Sequence, residues 1–498
     1  MSFREWGSPN NAGGGGGGTV PDNLPMQAVA DTTALGALSI TALDDGSVVS
    51  MRSVKGLWYL DKTSALTVDG ITIIAASGGA GRWMRMIQSH LSWRKQTAWF
   101  INQGAGNDEN DGLTAGTALA SHDEFQRRVA DEDQPIDVGM VVTFTAAYVG
   151  DIKNTVGVSQ VSPYGSITYQ GQRTTLFSGT LTAATAWVTG TTAGTISDAS
   201  IATSWTASGG MGKLCVLTSG AASGSASWLT LEPVAKTARY SGFFNDSTFA
   251  VSDPAGTETY DVVDLTQITG KVTQVGDGYT VFKNIAFRSP GGFDTQVQVY
   301  GGYVAFTFCD IECNTMNYSG GGTFGHSLLG SKINASSGRP KFFNCDISMY
   351  ASWFLSNTPF ASSGSRINLP ARNVAQQASG GAVIDKAISA EADGRVTIVL
   401  GGEWCVLDLV SAASRALRCG KFGRVEVDAS SVVWGLGNTM DHAVEVDSGG
   451  TLIFAQPAAT RFQVSGTTVS EVLVGAVQST FAGLPVNDLG KAAFASEL

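Results

Sequence analysis

The sequence predicts an all-β chain organised around a parallel β-solenoid, and three observations predict it. Val281–Phe287 (VFKNIAF), Thr307–Cys313 (TFCDIEC) and Phe343–Met349 (FNCDISM) overlay as three strands of strict period two. Such alternation sends one set of side chains into a core and the other toward solvent. The expected core face carries Ile285, Ile311 and Ile347 with Cys309 and Cys345. The opposite face carries Asn284, Asp310 and Asp346, flanked by Ala286, Glu312 and Ser348. Second, the Ile recurs after 26 and then 36 residues with no helical pattern between copies, as stacked coils with loops of variable length require. Third, the chain holds 62 Gly in 498 residues and only 15% charged residues, against about 25% charged in ordinary domains.

Composition also excludes. A net charge of −11 with no basic stripe argues against a nucleic-acid partner. The six cysteines, Cys215, Cys309, Cys313, Cys345, Cys405 and Cys419, form no C-x-x-C pair and read as reduced core thiols, with no metal framework. The N-terminus lacks a basic segment followed by an apolar core, so no signal peptide is expected. No window reaches 18 uninterrupted apolar residues, so membrane insertion is not expected. The expectation is a protein made in a cytoplasm that leaves it by assembly or lysis.

Residues 1–25 cannot bury a core: Gly13 to Gly18 form a flexible spacer. Phe3 and Trp6 ahead of it read either as an anchor for another protein or as a frayed terminus. Residues 26–90 read as a small β module, with turn signals at Asp44-Asp45-Gly46 and Val68-Asp69-Gly70. Strands are expected at Ser47–Met51, Leu57–Leu60 and Ile71–Ile74. The run from Asp44 to Met86 resembles a small adaptor domain of bacteriophage tail-fibre and tail-spike proteins. The resemblance is carried by Asp45, Gly46, Val48, Gly56, Trp58, Tyr59, Asp69, Gly70, Gly81, Arg82 and Trp83.

Residues 97–465 are the expected solenoid body. Trp99-Phe-Ile is followed by an acidic turn in which Gly106, Asp108, Asn110, Asp111, Gly112, Leu113 and Thr114 precede a helix. Ser121 and Glu124 read as its capping box. This series resembles the opening rung of right-handed parallel (pectate-lyase-like) β-helices in phage and bacterial surface proteins. A calcium loop fits the turn poorly, because the EF-hand order fails and its twelfth position is Leu119. A Thr/Ser/Gly-rich excursion at 178–260 reads as an insertion, and 351–392, with Pro359 and Pro370, as a surface loop or lateral protrusion. Strands resume at 395, 424, 443 and 451, with Val425 and Leu452 spaced by 27 residues. Residues 466–498 read as a C-terminal cap or association tip.

Chemistry has one candidate centre. If Asp346 lay on the rung next to Asp310, the two carboxylates would sit about 5 Å apart, with Glu312 about 7 Å along the strand. That spacing suits glycoside hydrolysis; the alternative is a solvated acidic ladder on a soluble face. Tyr350, Trp353, Trp404 and Trp434 could stack on sugar rings if exposed, or pack in the core. The four histidines make no i, i+4 pair, and no cofactor is expected. The resemblance implies a structural tail-spike or tail-fibre component of a virion tail, made in the host cytoplasm. It implies a homotrimer, attached to a phage tail or baseplate protein through residues 1–25 and binding a host surface polysaccharide or other receptor. The alternatives are a polysaccharide depolymerase of glycosidase or lyase type, and a fibre of a phage-like contractile injection system.

Overall fold

A computed structural model describes residues 27–51, 56–65, 68, 73–79, 81–85, 96–129, 139–154, 166–188, 192–275, 279–288, 295–299, 302–312, 315–318, 326–335, 341–343, 346–356, 360–363, 366–377, 386–391, 394–398, 403–407, 415–420, 422–427, 432–436, 444–446, 450–454, 462–464, 467–468, 471–474, 477–480 and 490–494. The chain divides into two units, Met1–Gln88 and Ser89–Leu498.

The first unit holds a five-stranded sheet in the order Gln27–Val29, Val48–Met51, Gly56–Asp61, Arg82–Arg85, Ile73–Ala75. Only its first pairing is parallel. Trp58, Leu60 and Trp83 are fully buried with Leu35. Leu35 belongs to a short helix, Thr32–Ala37, whose Asp31 cap accepts the Ala34 N–H at 2.8 Å. The sequence reading missed this helix. Gly81 sits at φ +144°, where a Cβ would come within 2.9 Å of the Lys62 Cα, so only glycine lets the two strands meet.

The second unit is a parallel β-helix whose coils each give one strand to three sheets. One coil contributes Tyr279–Lys283, Ile285–Arg288 and Thr295–Val299; the next contributes Tyr303–Thr307, Asp310–Glu312 and Thr315–Tyr318. The first sheet runs over twelve strands from Ala98–Ile101 to Gly490–Phe494. Its inward column reads Val142, Tyr169, Phe282, Phe306 and Leu328, all buried. The second sheet stacks Tyr148, Ile268, Phe287, Ile311, Ile333 and Phe354 in the same way. Apolar columns of this kind need neighbours above and below, which makes the coil the unit of folding.

The expected single Ile column is not formed. Ile311 pairs with Phe287 and Ile333 in the second sheet, whereas Ile347 pairs with His326 and Ile367 in the first. The stretches 281–287 and 307–313 are each in fact two strands meeting at a corner, and the corner residue, Asn284 or Phe308, is left-handed, as at the matching corners of later coils. Asn284, Phe308, Gly330, Ala351 and Ala371 have φ between 47° and 57°. One left-handed residue shifts the alternation by a step, so Phe282 and Ile285 both face inward and Lys283 does not. At Gly330 an added Cβ would lie 2.7 Å from the Phe308 ring. Gly330→Ala is therefore expected to cost about 1–3 kcal/mol of stability, measurable as a lower urea midpoint at unchanged m-value. An unchanged midpoint would show that the corner adapts.

The stretch 351–392, expected as a loop, carries strands Trp353–Ser356, Phe360–Ser363, Arg366–Asn368, Arg372–Gln377 and Lys386–Glu391. Pro370 stands outside these strands, where a missing N–H costs no ladder bond. Val425 and Leu452 do pair directly.

The opening coil is closed by helix His122–Val129, which buries Phe125 and Val129 against Trp99. Ser121 caps it, its Oγ accepting the Glu124 N–H at 3.1 Å. The reciprocal half of the capping box is absent. Glu124 turns to Arg127 and Arg128, while the Ser121 N–H donates to Asp108 at 2.8 Å. Asp108 also accepts from the Ala120 N–H and the Ser121 hydroxyl. The acidic turn is thus a clasp on the helix start.

The insertion begins with Arg173–Thr180, which pairs antiparallel with Thr259–Leu265. Its core holds Trp205, Trp228, Tyr240, Tyr260, Phe243 and Phe244. That core continues into Phe308, Trp353, Val374 and Cys405, which lie outside the solenoid core. The insertion therefore roofs the outer face of the second sheet.

Candidate functional site

The roof changes what the outward residues of the second sheet can do. Their column reads Gln267, Ala286, Asp310, Lys332, Trp353, Val374, Cys405. Asp310 is only 8% exposed. Its Oδ2 accepts from Arg288 at 2.7 Å and lies 3.4 Å from the Lys332 Nζ. Its Oδ1 has no donor among the described groups. Lys332 also donates to the Gly212 carbonyl at 3.2 Å, and its ammonium sits over the rings of Trp353 (5.2 Å) and Trp228 (5.6 Å). Burial lowers the Lys332 pKa, and the Asp310 charge opposes that shift. Two indole faces and a carboxylate replace the water this ammonium has lost.

Between roof and sheet lies a cavity of about 180 Å³. The insertion walls it with Met211, Lys213, Trp228 and Asp264; the second sheet walls it with Arg288, Asp310 and Lys332. Lys213 and Asp264 form an ion pair, and both side chains are more than a third exposed. The walls thus carry three cations and two carboxylates.

The expected carboxylate pair is not assembled. Asp310 stands on the second sheet, whereas Asp346 opens strand Asp346–Tyr350 of the first, beside Arg366. The Asp346 side chain lies outside the described residues. Nor is Asp310 solvated, because the insertion covers it. Glu312 keeps 46% of its side-chain surface and lies 3.6 Å from the Arg288 Nε, so one guanidinium bridges both acids of the strand.

The aromatic candidates separate by location. Trp404 is fully buried in the solenoid core beside Phe354, with ring centroids 5.8 Å apart, and cannot meet a ligand. Trp353, 2% exposed, lies beneath the insertion. Tyr350 is half-buried against Phe249, a ring 58% exposed. The side chain of Trp434, and all of Phe3 and Trp6, lie outside the described residues.

Cys215, Cys309, Cys405 and Cys419 are buried and unbridged, and burial pushes the Cys309 thiol up to about 12. Among the described residues no group of three His, Cys, Asp or Glu side chains could hold a metal ion.

No protein-family model and no curated protein matches the sequence. Solved structures similar to it include the tailspike of Acinetobacter baumannii bacteriophage Fri1, a capsular polysaccharide depolymerase. That match has 10% identity over 93% of this chain and 79% of that one, with a TM-score of 0.31. The tailspike of Pseudomonas phage phi297 is 9% identical over 68% of this chain and 72% of that one, with a TM-score of 0.24. The lacto-N-biosidase of Eubacterium ramulus is 10% identical over 80% and 68%, also with a TM-score of 0.24.

Sequence reasoning missed Arg288, Lys332, Lys213, Asp264 and Trp228. A signal for Lys332 was present: Lys332-Ile333-Asn334 repeats the polar-Ile-polar pattern of Asp310-Ile311-Glu312 on the following coil. The insertion's contribution carried no such signal.

Proposed function

We propose that the chain is a structural tail-spike or tail-fibre component of a virion that binds a glycan on the host surface. The observation that carries this reading is the polar cavity held between the insertion and the second sheet, where charged groups are fixed on a rigid rod. Pre-positioned donors and acceptors of this kind suit hydroxyl-rich ligands. The adaptor-like β module supports a place on the tail, with residues 1–25 as the attachment segment and a homotrimer as the assembled form. Binding is favoured over cleavage. Hydrolysis needs two carboxylates flanking one bond and free to act on it, whereas both carboxylates of the cavity wall are already paired with cations, Asp310 with Arg288 and Lys332 and Asp264 with Lys213.

The test presents the purified full chain to a panel of immobilised bacterial surface polysaccharides. The expected result is saturable binding, no release of reducing or unsaturated ends, and a trimer mass by light scattering. Absence of binding across the panel would sink the reading. New chain ends that Asp310→Asn abolishes would make the protein a depolymerase.

A further inference from the structure

We propose that the cavity between the insertion and the second sheet is a subsite for one uncharged, diol-bearing sugar unit, with Asp310 as its specificity-determining acceptor. The inference rests on the glycan-binding reading and narrows it. Size comes first: about 180 Å³ is below the roughly 300–1,000 Å³ of sites for drug-sized ligands. One ring or one branch unit fits; a run of chain does not.

Hydrogen bonding comes second. Asp310 forms part of the cavity wall, keeps only 11% of its side-chain surface, and leaves Oδ1 without a donor among the described groups. An ionised oxygen in that state is costly, and a ligand hydroxyl supplies the missing hydrogen. Arg288 and Lys332 are already committed to Oδ2, so the carboxylate is held rigid while it waits for that donor. A second hydroxyl can donate to the Asp264 carboxylate or accept from Lys213 at the mouth, where both are partly exposed.

Charge decides between sugar classes. Lys213, Arg288 and Lys332 are balanced in ion pairs by Asp264, Asp310 and Glu312, so the site has no net charge with which to draw in an acidic sugar and offset the water its carboxylate loses. An amino sugar in its charged form finds the same balance and likewise gains nothing for the water it loses. A neutral ring meets neither penalty.

The experiment compares neutral polysaccharides (a mannan, a galactan, a dextran) with uronate-rich ones by biolayer interferometry on the full chain. The neutral set is also tested after periodate treatment, which cleaves vicinal diols. Neutral polysaccharide is expected to bind, and periodate to weaken it at least tenfold. Asp310→Asn is expected to weaken it about tenfold or more, the scale of losing a hydrogen bond to a charged group. Met211→Trp, which fills the cavity from the insertion side and leaves the buried ion pairs in place, should do the same at unchanged circular dichroism. Binding within twofold of wild type in both variants would overturn the subsite and leave the glycan-binding reading standing, as would a preference for uronate-rich chains. Wild-type protein that binds no polysaccharide would overturn both.

Discussion

Lowering the pH from 6.5 to 5 is expected to destabilise the solenoid unit by about 2 kcal/mol through His122 alone. The imidazole is fully buried, 3.2 Å from the Tyr169 hydroxyl through Nε2, and burial holds its pKa down at about 3. The unfolded chain takes up a proton near pH 6.5 that the folded chain refuses. Stability is therefore constant above 6.5, falls below it, and levels off near pH 3. At about 1.4 kcal/mol per pH unit the full loss is on the order of 5 kcal/mol. Glu124, whose carboxyl is held below its usual range by Arg127 and Arg128 against the opposing effect of burial, adds a loss only nearer pH 4. Urea midpoints at pH 7, 6, 5 and 4 would follow this profile. His122→Gln should flatten the stretch from 6.5 to 5; a flat wild-type profile there would refute the assignment.

Trp228→Ala is expected to cost about 3–5 kcal/mol, the range for deleting a buried Trp, and to loosen the insertion before the coils. Trp228 is buried in the insertion core, its Nε1 donates to the Gly330 carbonyl at 2.8 Å, and its ring faces the Lys332 ammonium. The substitution leaves a cavity, strips a donor from a corner carbonyl and exposes a buried cation to an empty side. Hydrogen exchange should show protection falling in 214–217, 226–234 and 259–265 while 396–398 and 424–427 hold. Uniform loss over all these strands would mean that insertion and coils unfold as one cooperative unit.

The solenoid was legible because apolar alternation and recurring Ile residues report stacked coils whatever their register. The register was not legible, because Asn284 and Phe308 adopt a left-handed conformation that no residue type announces. Asn tolerates it, but Phe308 and Ala351 are held there only by the coils around them. Matching the D-I-E of 310–312 to the D-I-S of 346–348 followed the letters, whereas the chain matches it to K-I-N of 332–334. That slip alone separated Asp310 from Asp346. Asp310 was recognisable as outward-facing, but outward did not mean solvated. Its cover comes from residues a hundred positions earlier, such as Gly212 and Trp228, and that packing has no local pattern. Trp353 and Trp404 illustrate the same limit, since strand alternation says which face a ring takes and not what lies over it.

The insertion leaves the solenoid and rejoins it at one point. Gln172 and Thr266 are hydrogen-bonded to each other, main chain to main chain at 3.0 Å and through the Thr266 hydroxyl at 2.7 Å. The coil follows the same path whether ninety residues or a tight turn join those two positions. A lobe of different sequence joined at this corner would therefore leave the stacking of the coils undisturbed. The exchange carries one condition: the incoming lobe must bring a greasy underside of its own, because Phe308, Trp353, Val374 and Cys405 would otherwise face water.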